Sequence, residues 1–223
     1  MSNMRSSSGS NSEFEKNREQ DFYKYYQPFS RSFESQWASR SADSPSAGKP
    51  YSSSDLALAA FAQLGALRLN ARRCIVSFFD RRHQYVLAEA TRTLSLQTHT
   101  SPDPDDGLWR GSGCFPRGNS VCEHTTELPV ASDSIELTAN TNNGNVVIIP
   151  DLSQHDTYRH KPFVFDRPHA RFHAGVPILS PKGYHIGAYC VLDDKPRAGI
   201  NEAETTFLKD MVSPPVNARE THD

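Results

Sequence analysis

The sequence contains no long apolar run. Hydrophobic residues make up only 36% of its 223 residues, and none of their runs approaches the roughly 20 residues that a helix needs to cross a bilayer. The N-terminus also lacks the apolar segment of a secretory signal peptide. We therefore expect a cytoplasmic protein that is not inserted in a membrane.

The net charge is small, and cysteines are few. The formal net charge is −2, from 24 basic and 26 acidic residues, so nothing indicates the basic surface of a nucleic-acid-binding protein. The four cysteines are Cys74, Cys114, Cys122 and Cys190. In a cytoplasmic protein, we expect them to be reduced thiols rather than a disulfide framework.

Aliphatic residues are sparse in residues 1–54, which are rich in serine. Such a segment buries too little apolar surface to offset the entropy lost on ordering, so we expect it to be mostly disordered. Its aromatic stretch from Phe22 to Trp37 leaves two alternatives open, a mobile patch or a short docked helix that ends before Pro28. Residues 213–223, which contain two consecutive prolines, are expected to form a disordered tail.

Periodic patterns predict one folded domain over residues 55–212. Ser and Asp precede apolar residues at helical spacing, which predicts a capped amphipathic helix. The apolar positions of this helix are Leu56, Ala60, Leu64 and Leu67. Two runs rich in β-branched and aromatic residues, RCIVSFFD and QYVLAEATRTLSL, then predict a β-hairpin.

A long loop is predicted from Thr98 to Asn119, because this stretch has no period and is dense in Pro, Gly and Asp. Ser120 and Glu123 have the spacing of a capping box, so a short helix is expected to begin near Ser120. Asn201 and Glu204 repeat this spacing ahead of a C-terminal helix.

A second hairpin is predicted in the segment RFHAGVPILSPKGYHIGAYCVLDDKPR, which follows a brief buried strand in NVVIIPD. Gly183 allows its tight turn, while Gly175 and Gly187 leave strand backbone unshielded. Either a ligand or crowding by the protein itself explains such glycines, and both interpretations stay open. The order of elements predicts an α+β domain, a mostly antiparallel sheet with helices packed on it.

The second hairpin also carries a family pattern. An aromatic residue precedes Ala-Gly-x-Pro, and a glycine turn, Ile-Gly-x-x-Cys-Val-x-Asp and Pro-Arg follow. This pattern resembles the second half of a GAF domain, and with RCIVSFFD and SVCEHT the resemblance covers residues 55–212. The N-terminal FYKYYQP and the Pro-Asp-rich loop resemble, more narrowly, the sensory region of hybrid histidine kinases from filamentous fungi.

The resemblance implies a GAF-like antiparallel sheet of about five or six strands with a pocket on one face. We hypothesise a noncatalytic sensory module of a two-component, histidine kinase-like protein, in a chain truncated before the kinase core. The expected ligand site consists of Trp109, Phe115, Cys122, Tyr158, Phe172, His173 and Gly175. No cofactor is predicted. The expected partners are a small molecule and either a second copy of the chain or a kinase, not nucleic acid or a membrane.

Two alternative functions stay open. Cys122 is the candidate reactive thiol, because it follows Ser120 at a helix start, where backbone amides lower a thiol pKa. The GAF fold includes one thiol enzyme class, the free methionine-(R)-sulfoxide reductases, but the cysteine spacing and the distant Cys190 do not reproduce its pattern. The other alternative is an interaction module whose own side chains fill the pocket.

Metal binding is not predicted. Five histidines occur between residues 155 and 185, but His169 and His173 would lie about 13 Å apart in an extended chain, too far to share an ion. The signatures of bilin-binding and cyclic-nucleotide-binding GAF domains are also missing.

Overall fold

The computed structural model describes residues 13–25, 50–118, 120–126 and 146–213. Six strands form one antiparallel sheet in the order β3-β2-β1-β6-β5-β4. The strands are β1 Arg73–Phe79, β2 His83–Thr91, β3 Gly113–Pro116, β4 Val147–Ile149, β5 Phe172–Leu179 and β6 His185–Asp193. The predicted α+β fold is confirmed, as are both hairpins.

Five α-helices surround the sheet in the described part of the chain. They are α1 (residues 13–25), α2 Leu56–Arg68, α3 Cys122–Thr126, α4 Pro162–Phe165 and α5 Glu202–Val212. The predicted capping box of α5 is present, since Asn201 and Glu204 each accept a backbone N–H of the other at 2.9 Å. In the described ranges, no helix has the length and apolar character that crossing a membrane requires.

The two faces of the sheet bury different layers. The first face packs against α2 and α5, and its buried residues include Ala62, Ala66, Cys74, Ala174, Val176, Tyr189 and Leu208. The second face packs against α3, α4 and the loop before β3, and its buried residues include Ile75, Phe79, Cys122, Ile149, Leu152, Phe163 and Cys190. Side chains alternate along a strand, so each strand contributes to both layers.

Helix α2 packs on the first face through its small residues, so the predicted apolar face is wrong. Leu56, Leu64 and Leu67 are 56%, 43% and 55% exposed. The cause is the close approach of the helix to β6: a Cβ atom at Gly65 would lie 2.3 Å from the hydroxyl oxygen of Tyr189. Only a glycine and small neighbours fit at that distance.

The region predicted as a loop between Thr98 and Asn119 contains regular structure. A short 3₁₀-helix covers Pro104–Asp106, and β3 adds an edge strand that pairs with β2. A strand of four residues bounded by Pro and Gly is too short to show a period in the sequence.

Helix α3 begins at Cys122, and the predicted capping box at Ser120 and Glu123 is wrong. The hydroxyl of Ser120 accepts a hydrogen bond from the Cys122 amide at 3.2 Å. The Glu123 carboxylate instead accepts from the Gly118 amide at 2.6 Å and pairs with Arg117 at 2.5 Å. Glu123 therefore holds the turn that precedes the helix rather than its first residue.

Helix α1 docks at one end of the sheet. Phe22 is fully buried beside Leu87 and Ile186, and the Arg18 guanidinium donates to the carbonyl of Phe79 at 2.9 Å. The start of the aromatic stretch thus adopts the helical alternative. Of the other residues predicted to be disordered, 50–54 and 213 are described, and Ser52 and Ser53 are buried. Residues 1–12, 26–49 and 214–223 lie outside the described residues.

Candidate functional site

Most of the predicted ligand-site residues lie on the second face. Trp109, Phe115, Cys122 and Tyr158 belong to its packed layer. Phe172 does not: it is fully buried in the layer of the first face, beneath the guanidinium of Arg197, whose carbon lies 5.2 Å from the ring centroid. Phe172 and His173 are consecutive in β5, so their side chains point to opposite faces of the sheet. Phe172 therefore cannot line the same site as His173.

Cys122, His173 and Cys190 meet at the centre of the second face. Their thiol sulfurs and an imidazole nitrogen all lie within 4.8 Å of one another, and all three side chains are buried. Strands β5 and β6 bring two of them together, because Gly175 pairs with Cys190 and His173 lies two residues earlier on the same face. Cys190 was not predicted as a site residue. It is distant from Cys122 in the sequence, but the two sulfurs are close in the fold.

Gly175 provides the room that this cluster occupies. A Cβ atom there would lie 2.7 Å from the sulfur of Cys190 and 2.7 Å from the hydroxyl oxygen of Thr125. These two atoms are themselves 3.6 Å apart. Of the two interpretations of Gly175, the structure supports crowding by the protein's own side chains.

The two thiols of the cluster differ in their protonation. A hydrogen bond from Cys190 lowers the pKa of Cys122 well below its usual value against the effect of burial, and His173 and Ser120 lower it further. Burial and the neighbouring Cys122 raise the pKa of Cys190. Cys122 is therefore the more acidic thiol of the pair, and the neighbouring side chains rather than the helix start are the main cause.

The other two cysteines have raised pKa values. Burial raises the pKa of Cys74, a residue of the first face. Burial and the nearby Asp80 raise the pKa of Cys114 to about 12. That Cys122 is more reactive than Cys74 and Cys190 stays a prediction.

His173 is fully buried, yet neither of its ring nitrogens forms a hydrogen bond to any residue in the described part of the chain. Buried polar groups nearly always have such a partner. The imidazole is thus the least satisfied polar group of the second face.

Aromatic rings form an arc on the second face, which we call the aromatic arc. Its members are Phe115, Trp109, Phe163, Tyr158, His155 and His124. At one end the Arg110 guanidinium lies between two rings, with its carbon 4.5 Å from the centroid of Trp109 and 4.8 Å from that of Phe115. Apart from Phe115, which lies in β3, the arc consists of residues from loops and short helices beside the sheet, a common arrangement for binding sites.

Glu89 holds the loop that presents Trp109. This fully buried carboxylate on β2 pairs with Arg73 at 2.6 Å. It also accepts the backbone N–H groups of Trp109, Arg110 and Gly111 at 2.7–2.8 Å. This role of Glu89 was not predicted, although one glutamate within the apolar strand VLAEAT was a signal for it.

Comparisons with known proteins found limited similarity. No protein-family model matches the chain. A cyclic di-GMP phosphodiesterase from Pseudomonas aeruginosa is 31% identical over 61 residues, which are 27% of this chain and 10% of that protein. The matched region thus spans only about a tenth of that relative's length.

Several solved structures are similar to this chain. The blue-light-absorbing PixJ GAF domain of Thermosynechococcus elongatus is 17% identical and matches 71% of this chain and 80% of its own, with a TM-score of 0.47. A type II free methionine-R-sulfoxide reductase from Thermoplasma acidophilum is 12% identical over 70% and 85% of the two chains, with a TM-score of 0.46. The GAF domain of an Acinetobacter phosphoenolpyruvate-protein phosphotransferase is 13% identical over 72% and 79%, with a TM-score of 0.45.

Proposed function

We propose that this chain is a noncatalytic sensory module of the GAF type that binds a small molecule on the second face of its sheet. The supporting observation is the aromatic arc, in which Trp109 and Phe115 remain partly exposed beside buried polar groups. Small-molecule sites are typically lined by aromatic side chains with a few polar groups. The GAF-like sequence pattern of the β5–β6 hairpin supports the same proposal.

Thermal-shift screening with a metabolite and nucleotide library tests this proposal. A ligand of the arc raises the melting temperature of the wild-type protein, and the shift is lost in Trp109→Ala. Phe172, although predicted to line the site, is not a suitable test residue because it belongs to the first face. Phe165→Ala is the matched control, since Phe165 is 57% exposed and does not belong to the arc. If no compound shifts the melting temperature, or if Trp109→Ala responds like the wild type, the interaction module with a filled pocket is favoured instead.

The proximity of Cys122 and Cys190 favours a second candidate function, a thiol enzyme of the methionine sulfoxide reductase type. In the net reaction, two thiols become a disulfide, and the sulfoxide oxygen leaves as water. An added thiol donor then reduces the disulfide again. Turnover of free methionine-(R)-sulfoxide that disappears in Cys122→Ser would establish this activity and overturn the noncatalytic proposal. Retained turnover in Cys114→Ser would show that the effect is specific.

The proposed context is a signalling pathway that involves a histidine kinase, as the narrower sequence resemblance implies. On this proposal the 223-residue chain incorporates no phosphate from labelled ATP by itself. Incorporation would overturn the assignment as a sensor alone.

The exposed leucines of α2 support pairing with a second copy of the chain. Leu56, Leu64 and Leu67 share one side of the helix and are largely exposed. Sedimentation of the wild type should show a dimer that Leu64→Glu dissociates. The control is Leu179→Glu, because Leu179 is similarly exposed at 44% but lies at the end of β5. A monomeric wild type would favour a different partner.

A further inference from the structure

We propose that Cys122, His173 and Cys190 bind a zinc ion. This inference goes beyond the sensory function and does not depend on it. Two thiols and one imidazole are the donor types that zinc prefers. Their donor atoms already lie within 4.8 Å of one another in the buried second face. Two of them come from the neighbouring strands β5 and β6, and Cys122 comes from α3, which is distant from them in sequence.

The spacing of the donors is close to that of a zinc site. Zinc bonds are about 2.3 Å to sulfur and 2.0–2.1 Å to nitrogen, so donors at tetrahedral angles lie roughly 3.5–3.8 Å apart. Donors within 4.8 Å thus need to approach one another by only about 1 Å. Side-chain rotation supplies such a shift without a change in the sheet.

The unsatisfied imidazole is an independent sign of a missing partner. His173 is fully buried, and no described residue hydrogen-bonds to either ring nitrogen. Leaving a buried polar group unpaired is unfavourable for stability. A metal ion bound to one nitrogen would remove part of this cost.

Charge balance favours a divalent ion over Cu⁺, and zinc is the divalent ion that most often takes thiolate and imidazole ligands in structural sites. Two thiolates, one neutral imidazole and Zn²⁺ have no net charge, which suits a site within the apolar layer of the second face. Cu⁺ would leave one negative charge in this apolar layer, at a desolvation cost. Mg²⁺ and Ca²⁺ prefer oxygen ligands. With three ligands from the described residues, a fourth position stays open for water or a small molecule.

The position of Gly175 keeps this space free for the donors. Any larger side chain there would collide with Cys190 and Thr125. Because the cluster is enclosed, we expect the ion to bind as the chain folds or when the domain opens transiently.

Cobalt binding tests the proposal, because Co²⁺ replaces zinc in such sites and is coloured. The full chain is refolded under reducing conditions with Co²⁺. We expect one ion per chain, with thiolate-to-cobalt charge-transfer absorption and the strong visible bands of tetrahedral Co²⁺, and Zn²⁺ should displace it. Cys122→Ala and Cys190→Ala should each weaken binding more than about 100-fold. Cys74→Ala, which removes a buried thiol of the first face, should bind like the wild type.

Alkylation of the wild type gives a second test that needs no variant to fold. In mild denaturant, Zn²⁺ should slow the labelling of Cys122 and Cys190 and leave Cys74 and Cys114 unchanged. Equal labelling with and without Zn²⁺, or cobalt spectra without thiolate absorption, would overturn the proposal. Binding of Cu⁺ alone would overturn the choice of zinc in favour of copper.

Discussion

Each face of the sheet buries a packed layer, and the two layers differ in chemistry. The first face is built from alanines, valines and leucines, and its large polar residue is satisfied because the Tyr189 hydroxyl donates to the carbonyl of Phe61 at 2.9 Å. The second face buries a carboxylate, two thiols and an imidazole, at Glu89, Cys122, Cys190 and His173. A protein keeps such polar groups in a core at a cost in stability. This difference agrees with our proposal that the first face stabilises the fold and the second carries the site.

The largest effect is expected from removing the carboxylate of Glu89. Glu89→Ala leaves Arg73 as an unpaired buried charge and frees three backbone amides. We expect a loss of about 3–5 kcal/mol in the free energy of unfolding, measured by urea denaturation. In a Trp37→Phe background, the emission of Trp109 should also shift to the red, because its loop is released.

A matched control for this prediction is Glu202→Ala. Glu202 is exposed at the start of α5, and its removal should change the free energy of unfolding by no more than about 0.5 kcal/mol. A cost below about 1 kcal/mol for Glu89→Ala would contradict the role of this carboxylate in fixing the loop.

The next largest effect is expected on the first face. Leu208 is fully buried between α5 and the sheet, and Leu208→Ala should cost about 3 kcal/mol through lost burial and a cavity. If the faces are independent, the cobalt affinity of the folded variant should not change. Leu64→Ala, on the exposed side of α2, should lower the free energy of unfolding much less. Weaker cobalt binding in Leu208→Ala would show that the two faces are coupled.

Much of the fold could be predicted from local patterns. The capping box of α5 and the turn at Gly183 are set by neighbouring residues, so the sequence shows them directly. The buried side of α2 could not be predicted in this way. Which side faces the sheet depends on how closely the helix can approach Tyr189, and that distance is a property of two elements together.

The candidate site was harder to predict for a similar reason. Strand alternation alone could have separated Phe172 from His173. The pairing of Cys190 with Gly175 depends on the register of the hairpin, which shifts at an irregularity between Ile178 and Leu179. The turn sequence does not reveal this shift, so the neighbours of Cys190 become clear only in three dimensions.

A smaller effect is expected when the space at Gly175 is filled. In Gly175→Ala, the new methyl group would overlap Cys190 and Thr125, and we expect a cost of about 1–3 kcal/mol. Cys190→Ala should relieve part of this overlap. The double variant should therefore lose less free energy of unfolding than the two single variants lose together. Strict additivity in urea denaturation would contradict the close contact.

The smallest effect is expected for an ion pair near solvent, which contrasts with the buried pair of Glu89. Hydrogen bonds from the Arg171 guanidinium, at 2.7 and 2.8 Å, are the main cause that lowers the pKa of Asp151 to about 2. Because the folded state lowers this pKa, the pair stabilises the protein above about pH 4 and loses its effect as the pH falls toward 2. Solvent screens the pair, so Asp151→Asn should cost only about 1 kcal/mol at neutral pH.

Urea denaturation across this pH range measures the contribution of Asp151. The difference between wild type and Asp151→Asn should shrink steadily from about pH 4 downward, since both then lack the charge. Asp156→Asn is the control, because Asp156 is 91% exposed and pairs with Arg159 only at 3.3 Å, so little change is expected at any pH. If the difference in free energy of unfolding between the wild type and Asp151→Asn stays constant down to about pH 2, the substitution acts through altered shape or hydrogen bonding rather than through lost charge. In that case, the contrast between this ion pair and the buried pair of Glu89 would not rest on electrostatics.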